Sequence, residues 1–193
     1  YFAAENRSWI PDFDIGDTFL MIDNNGISHS FLMISESEEF SKSWGGFLGI
    51  TTHMSLTEYN YKEFSSNYGQ RFSISLTAGW EPYGDELYVS FGANSFAYDF
   101  KMQTVSRVNT HAGSKSKLMT DEGYLDEGET IESNVKIHES LIIGAIEWEN
   151  VLHFTLNDFV DEIDSFEVTE IYISKDDGLV KYVLKSGIYF ERH

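Results

Sequence analysis

Glu167-Val-Thr-Glu-Ile-Tyr-Ile-Ser174, Lys175-Asp-Asp-Gly178, Leu179-Val-Lys-Tyr-Val-Leu184, Lys185-Ser-Gly187 and Ile188-Tyr-Phe-Glu191 close the chain as three strands and two turns. The strand segments are rich in β-branched and aromatic residues, which suit a pleated surface. Asp tolerates a left-handed backbone and Gly has no Cβ to clash there, so both short polar stretches read as tight turns. The segment is a β meander.

Working outward, the same alternation recurs along the chain. Residues 17–23 and 27–35 flank Asn24-Asn25-Gly26 and predict a hairpin, with Asn-Gly favouring a type I′ turn. Their apolar runs, Phe19 to Ile22 and Phe31 to Ile34, suggest that both faces are partly covered. Phe72, Ile74, Leu76 and Ala78 share one face of a strand, and residues 87–91 and 95–102 continue the pattern, with 103–108 either extending it or starting another strand. Later strands are expected over 131–137, 140–148 and 151–156. Helices are predicted in two places. Ser55 and Glu58 have capping-box spacing ahead of Leu56, Tyr59 and Phe64, giving a helix over 55–68. Phe159, Val160, Ile163 and Phe166 fall at helical spacing within 157–166. The predicted fold is a single, mainly β domain spanning 1–193, an antiparallel β-barrel or β-sandwich of lipocalin-like type with one or two short helices. A small, polar, acidic stretch near 109–130 reads as a flexible exposed connection.

Composition narrows the function classes. Thirteen basic against 32 acidic residues give a net charge of −19, a field that repels nucleic-acid phosphates and anionic lipid and favours cationic partners. Hydrophobic residues at 41% are too many for a disordered chain of that charge. There is no cysteine, so thiol catalysis, thiolate metal sites and disulfides are excluded. The longest apolar run, Leu141 to Ile146, is far short of the ~20 residues a membrane helix needs.

From Trp148 onward the order of features resembles a group of secreted or lipid-anchored β-proteins of bacterial cell envelopes. The residues carrying the resemblance are Glu149-Asn-Val-Leu-His153, Glu170-Ile-Tyr172 and Gly178-Leu-Val-Lys-Tyr182. Ile15-Gly-Asp-Thr-Phe19 is similar to the opening Gly-x-x-Trp element of that group, with Phe19 in place of Trp, and Tyr98-Asp-Phe100 to a shared mid-chain strand. The resemblance implies an antiparallel barrel or sandwich in the bacterial envelope or outside the cell, and implies no active site. An opening at Tyr1 without Met fits a leader or lipid anchor upstream.

Catalytic signatures are missing: there is no Gly-x-Ser-x-Gly, His-Glu-x-x-His, P-loop or Gly-x-Gly-x-x-Gly. The expected function is therefore non-enzymatic binding of a ligand or partner. Trp44, Trp80, Tyr83 and Trp148, in or beside turn-rich connections, are the candidate ligand-binding residues, able to stack on a sugar or line an apolar cavity, or else to fill the sheet core. Asp121, Glu122, Asp126, Glu127 and Glu129 are the candidate acidic patch, and residues 119–170 hold 15 acids against one base, Lys136. That asymmetry supports the alternative, an acidic inhibitor for a basic target site, or simply solubility. The same five carboxylates, bent by Gly123 and Gly128, could also bind calcium weakly; no other cofactor is expected. A carbohydrate-active enzyme using a carboxylate pair is the third reading.

Overall fold

The computed structural model describes residues 3–47, 50–78, 84–92, 94–110, 113–120, 123–126, 134–155 and 168–193, with side chains for 3–40, 58–78, 84–92, 94–105, 135–155 and 168–193. A short 3-10 helix (Ala4–Trp9) precedes β1 (Thr18–Asp23), β2 (Ser28–Phe47), β3 (Ile50–Ser66), β4 (Arg71–Thr77), β5 (Glu86–Phe91), β6 (Asn94–Asp99) and β7 (Thr104–Thr110). β8 (Gly113–Thr120), β9 (Gly123–Asp126), β10 (Asn134–Ile143), β11 (Ile146–Thr155), β12 (Val168–Ser174), β13 (Gly178–Leu184) and β14 (Tyr189–Arg192) follow. The strands pair in the order β10-β11-β12-β13-β14-β1-β2-β3-β4-β5-β6-β7-β8-β9, and each neighbouring pair is antiparallel. The twelve from β10 round to β7 curl into a nearly closed barrel.

Contacts across the interior show the curl. The Phe96 ring on β6 lies 3.9 Å from that of Phe154 on β11, and Asn94 Nδ2 donates to the Val168 carbonyl on β12. The Tyr182 ring on β13 lies 4.5 Å from that of Phe91 on β5, tilted against it. The inward rows are apolar (Phe72, Ile74 and Leu76 on β4; Leu87, Val89 and Phe91 on β5), and the outward neighbours Ser73, Glu86 and Ser90 reach solvent. No helix among the described residues is long and apolar enough to cross a membrane.

The closing meander matches its sequence reading strand for strand. Asp176 and Gly178 both take positive φ in the first turn, +72° and +77°. The first hairpin also forms, but its turn differs from type I′. Only Gly26 takes positive φ (+82°), Gly26 N–H donates to Asp23 O, and Asp23 Oδ1 accepts from Asn25 and Ile27 N–H. The Asp23 carboxylate thus holds an ordinary type I turn that ends in a left-handed glycine bulge. Its arms are covered on one face only: Leu20, Leu32 and Ile34 are exposed.

The helix expected over 55–68 is instead β3, paired with β2 on one side and β4 on the other. Two flanking ladders and a run of Thr, Tyr and Phe outweigh the capping-box spacing, and Glu58 is buried in an ion pair with Arg7 rather than capping a helix. The strand expected over 140–148 is cut by a turn at Gly144-Ala145, inside the apolar run: its first part ends β10, and its last part runs without a break into the strand expected over 151–156 as β11. Gly144 supplies positive φ at the first turn position. Strands β8 and β9 run within 109–130, where composition predicts a connection. The helix expected over 157–166 lies outside the described residues.

Candidate functional site

One end of the barrel is built from three turns of the same construction. In 23–27, 66–70 and 184–188 the fourth residue is glycine at φ +80° to +82°, its N–H bonded to the carbonyl three residues back. A left-handed position of that kind suits glycine because a Cβ there would crowd the following carbonyl. The turns are tied to adjacent strands. Asn67 exchanges two hydrogen bonds with the Ser30 backbone, and Asn24 N–H donates to Tyr189 O.

These turns frame a column of rings. Tyr68, at the tip of the second turn, is 59% exposed and lies 4.2 Å from the His29 imidazole. His29 meets Phe190 edge-on at 4.4 Å, Phe190 stacks on Tyr182 at 4.4 Å, and Tyr182 leans on buried Phe91. The column therefore runs unbroken from solvent into the core.

Polar groups line it at intervals. The Tyr182 hydroxyl donates to Gln70 Oε1 at 3.1 Å. His29 is 8% exposed, and its Nδ1 is buried without a hydrogen-bond partner. Burial holds the imidazole below its usual range, against the opposing pull of Asp23, so near neutral pH the ring is uncharged and one nitrogen is an acceptor. The Ile27 N–H, helped by that of Asn25 and opposed by burial, holds the Asp23 carboxyl below the ordinary carboxylate range. Burial pushes the Tyr182 hydroxyl up, with Asp23 adding to the effect. The end thus offers an aromatic face, one buried ring nitrogen without a partner and a nearby fixed negative charge. That suits stacking and hydrogen bonding; it supplies no nucleophile beside a base.

A second polar group sits on the outer face of β11 to β14. His153 Nε2 and the Tyr172 hydroxyl both meet Glu170 Oε2, at 3.0 and 2.6 Å, and the two rings stack at 4.0 Å. Lys181 pairs with Glu191 at 2.7 Å. All four strands contribute, so this is a cross-strand ladder of a kind that stabilises sheets.

The residues singled out from sequence fall elsewhere. Trp148 is buried in a cluster with Ile143, Val151 and Val180, with the Arg192 guanidinium 5.7 Å from its ring. Trp44 lies on β2 in register with Met54. Asp126 ends β9 opposite Lys117. Trp80, Tyr83, Asp121, Glu122, Glu127 and Glu129 lie outside the described residues. Among the described residues no group of three or more His, Asp or Glu side chains is arranged to hold a metal ion.

Sequence reasoning missed His29, Tyr68, Gln70, Tyr182 and Phe190. The available signal was Asn67-x-Gly69, which repeats the spacing of Asn24-x-Gly26 and was hidden by the helix reading of 55–68. No protein-family model matches the chain, and neither does any curated protein or solved structure.

Proposed function

We propose that the protein is a non-enzymatic binding domain that takes a small, hydroxyl-bearing ring compound at the His29 end of the barrel, in the bacterial envelope or outside the cell. The observation that carries the reading is the ring column: it begins at exposed Tyr68 and passes a buried imidazole nitrogen with no partner. A bound ring replaces Tyr68 against His29, and its hydroxyl donates to Nδ1. The gain is a hydrogen bond for a group that otherwise carries an uncompensated desolvation cost. The envelope setting rests on the resemblance of the closing meander.

The test is side-chain NMR during titration with phenol and, separately, methyl β-glucoside. Saturable shifts confined to His29, Tyr68, Tyr182 and Phe190 are expected with at least one probe. Shifts centred elsewhere, or none with either probe at millimolar concentration, would refute the assignment.

A second reading, an acidic protein that occupies a basic site on a target, is supported by the exposure of Glu139, Glu147 and Glu149 on the β10–β11 hairpin.

A further inference from the structure

The barrel has a seam. Among the described residues β10 pairs only with β11, and it is not hydrogen-bonded to β7, the strand at the other end of the curled sheet. Val135 on β10 packs against the core. Two residues on, the same face of the strand carries Ile137, which is 52% exposed although its cross-strand partner Leu152 is completely buried. An inward-facing isoleucine half in water marks the place where the apolar interior opens. Ile142, near the hairpin tip, is 71% exposed.

Edges of this kind are ordinarily protected by proline, lysine or a bulge, because their free N–H and C=O groups template another strand. β10 has neither proline nor register shift and one lysine, Lys136. Ten residues give it a reach of about 33 Å. Its charged neighbours are Glu139 on β10 and Glu147 and Glu149 on β11, all exposed, against that single base.

We propose that the β10 edge accepts an extended, lysine- or arginine-bearing segment of a partner protein as an added strand. Backbone hydrogen bonds supply the pairing, Ile137 receives an apolar side chain of the incoming strand, and the glutamates select a cationic one. A second copy of this chain is the poorer occupant. Two edges would bring Glu139 and its neighbours together on bodies that each carry −19. The proposal deepens the second reading above and is independent of the His29 end.

The experiment uses the whole chain and an eight-residue peptide alternating lysine and valine, followed by amide hydrogen exchange and NMR titration. Binding should protect every second amide of β10 and weaken by about tenfold between low and 0.3 M salt. It should fall at least about tenfold in Ile137→Lys and survive in Tyr68→Ser, which disturbs only the His29 end. A peptide N-methylated at every residue, and so blocked along both edges, should not bind. The proposal is overturned if the N-methylated peptide binds equally well or protection appears away from β10. It is also overturned if the β10 amides that do not bond to β11 are already protected in the free monomer, or if light scattering shows a dimer paired through β10.

Discussion

A double-mutant cycle on Phe96 and Phe154 tests whether the sheet curls. In the sheet order eight strands separate β6 from β11. On a flat sheet the two would lie about 43 Å apart, at about 4.8 Å per strand. In the barrel both rings are fully buried and their centroids are 3.9 Å apart. Truncation to alanine would cost about 3–5 kcal/mol at each site, and the double variant would approach the whole stability of a domain, about 5–15 kcal/mol. Leucine is the better probe, since it keeps most of the volume and removes the ring. Each single change should then cost on the order of 1–2 kcal/mol. The direct ring pair contributes a coupling of about 0.5–1.5 kcal/mol beyond area burial. Urea denaturation of the parent, both single variants and the double variant measures it as the departure from additivity. Additivity within about 0.3 kcal/mol, with unchanged denaturant slopes, would mean that the rings do not touch, and the closed interior would be refuted.

Four further outcomes are expected. His29 and His153 both have imidazoles pulled down by burial, so below about pH 6.5 the unfolded chain binds more protons than the folded one. Stability should therefore fall from pH 7.5 to pH 5, and His29→Phe should narrow the difference in urea midpoint; an unchanged difference would contradict the burial. Gly26→Ala, at φ +82° with open space around it, should cost about 1–2 kcal/mol, or a few degrees in thermal midpoint. Gly178→Ala should cost more, because its Cβ would sit 2.9 Å from Pro11 Cγ; equal losses would show that the N-terminal segment does not press on that turn. Asp85 accepts from Ala3 N–H and Asn6 Nδ2, so Asp85→Ala should raise amide exchange over residues 3–9 and cost about 1–3 kcal/mol.

Much of the fold was legible because side-chain alternation is a local property. Leu179 to Leu184 and Phe72 to Ala78 state their inward faces in their own spacing, and the glycine turns are announced by composition. The failures come from competing signals. Ser55 and Glu58 imitate a helix start, and only the ladders to β2 and β4, invisible in one strand's sequence, decide for β3. Within β11, Asn150 takes φ +50° inside a continuous strand, while the real turn between β10 and β11 hides at Gly144 within an apolar run. The candidate site was illegible for a different reason. His29, Tyr68 and Tyr182 stand far apart in sequence, and they meet only when three hairpin turns arrive at one end of a curled sheet. Trp148 shows the converse: an aromatic beside polar residues is interior packing once the β10–β11 hairpin lies over β13 and β14, where Gly144 comes within reach of the Glu191 carboxylate.

The most direct measurement of the binding account is the affinity of phenol for the parent chain and for His29→Phe. The variant keeps an aromatic ring in the column and lacks the Nδ1 acceptor. The account predicts a loss of about tenfold, the worth of one neutral hydrogen bond of about 1.4 kcal/mol, with stacking retained. Equal affinity in the two proteins would contradict it.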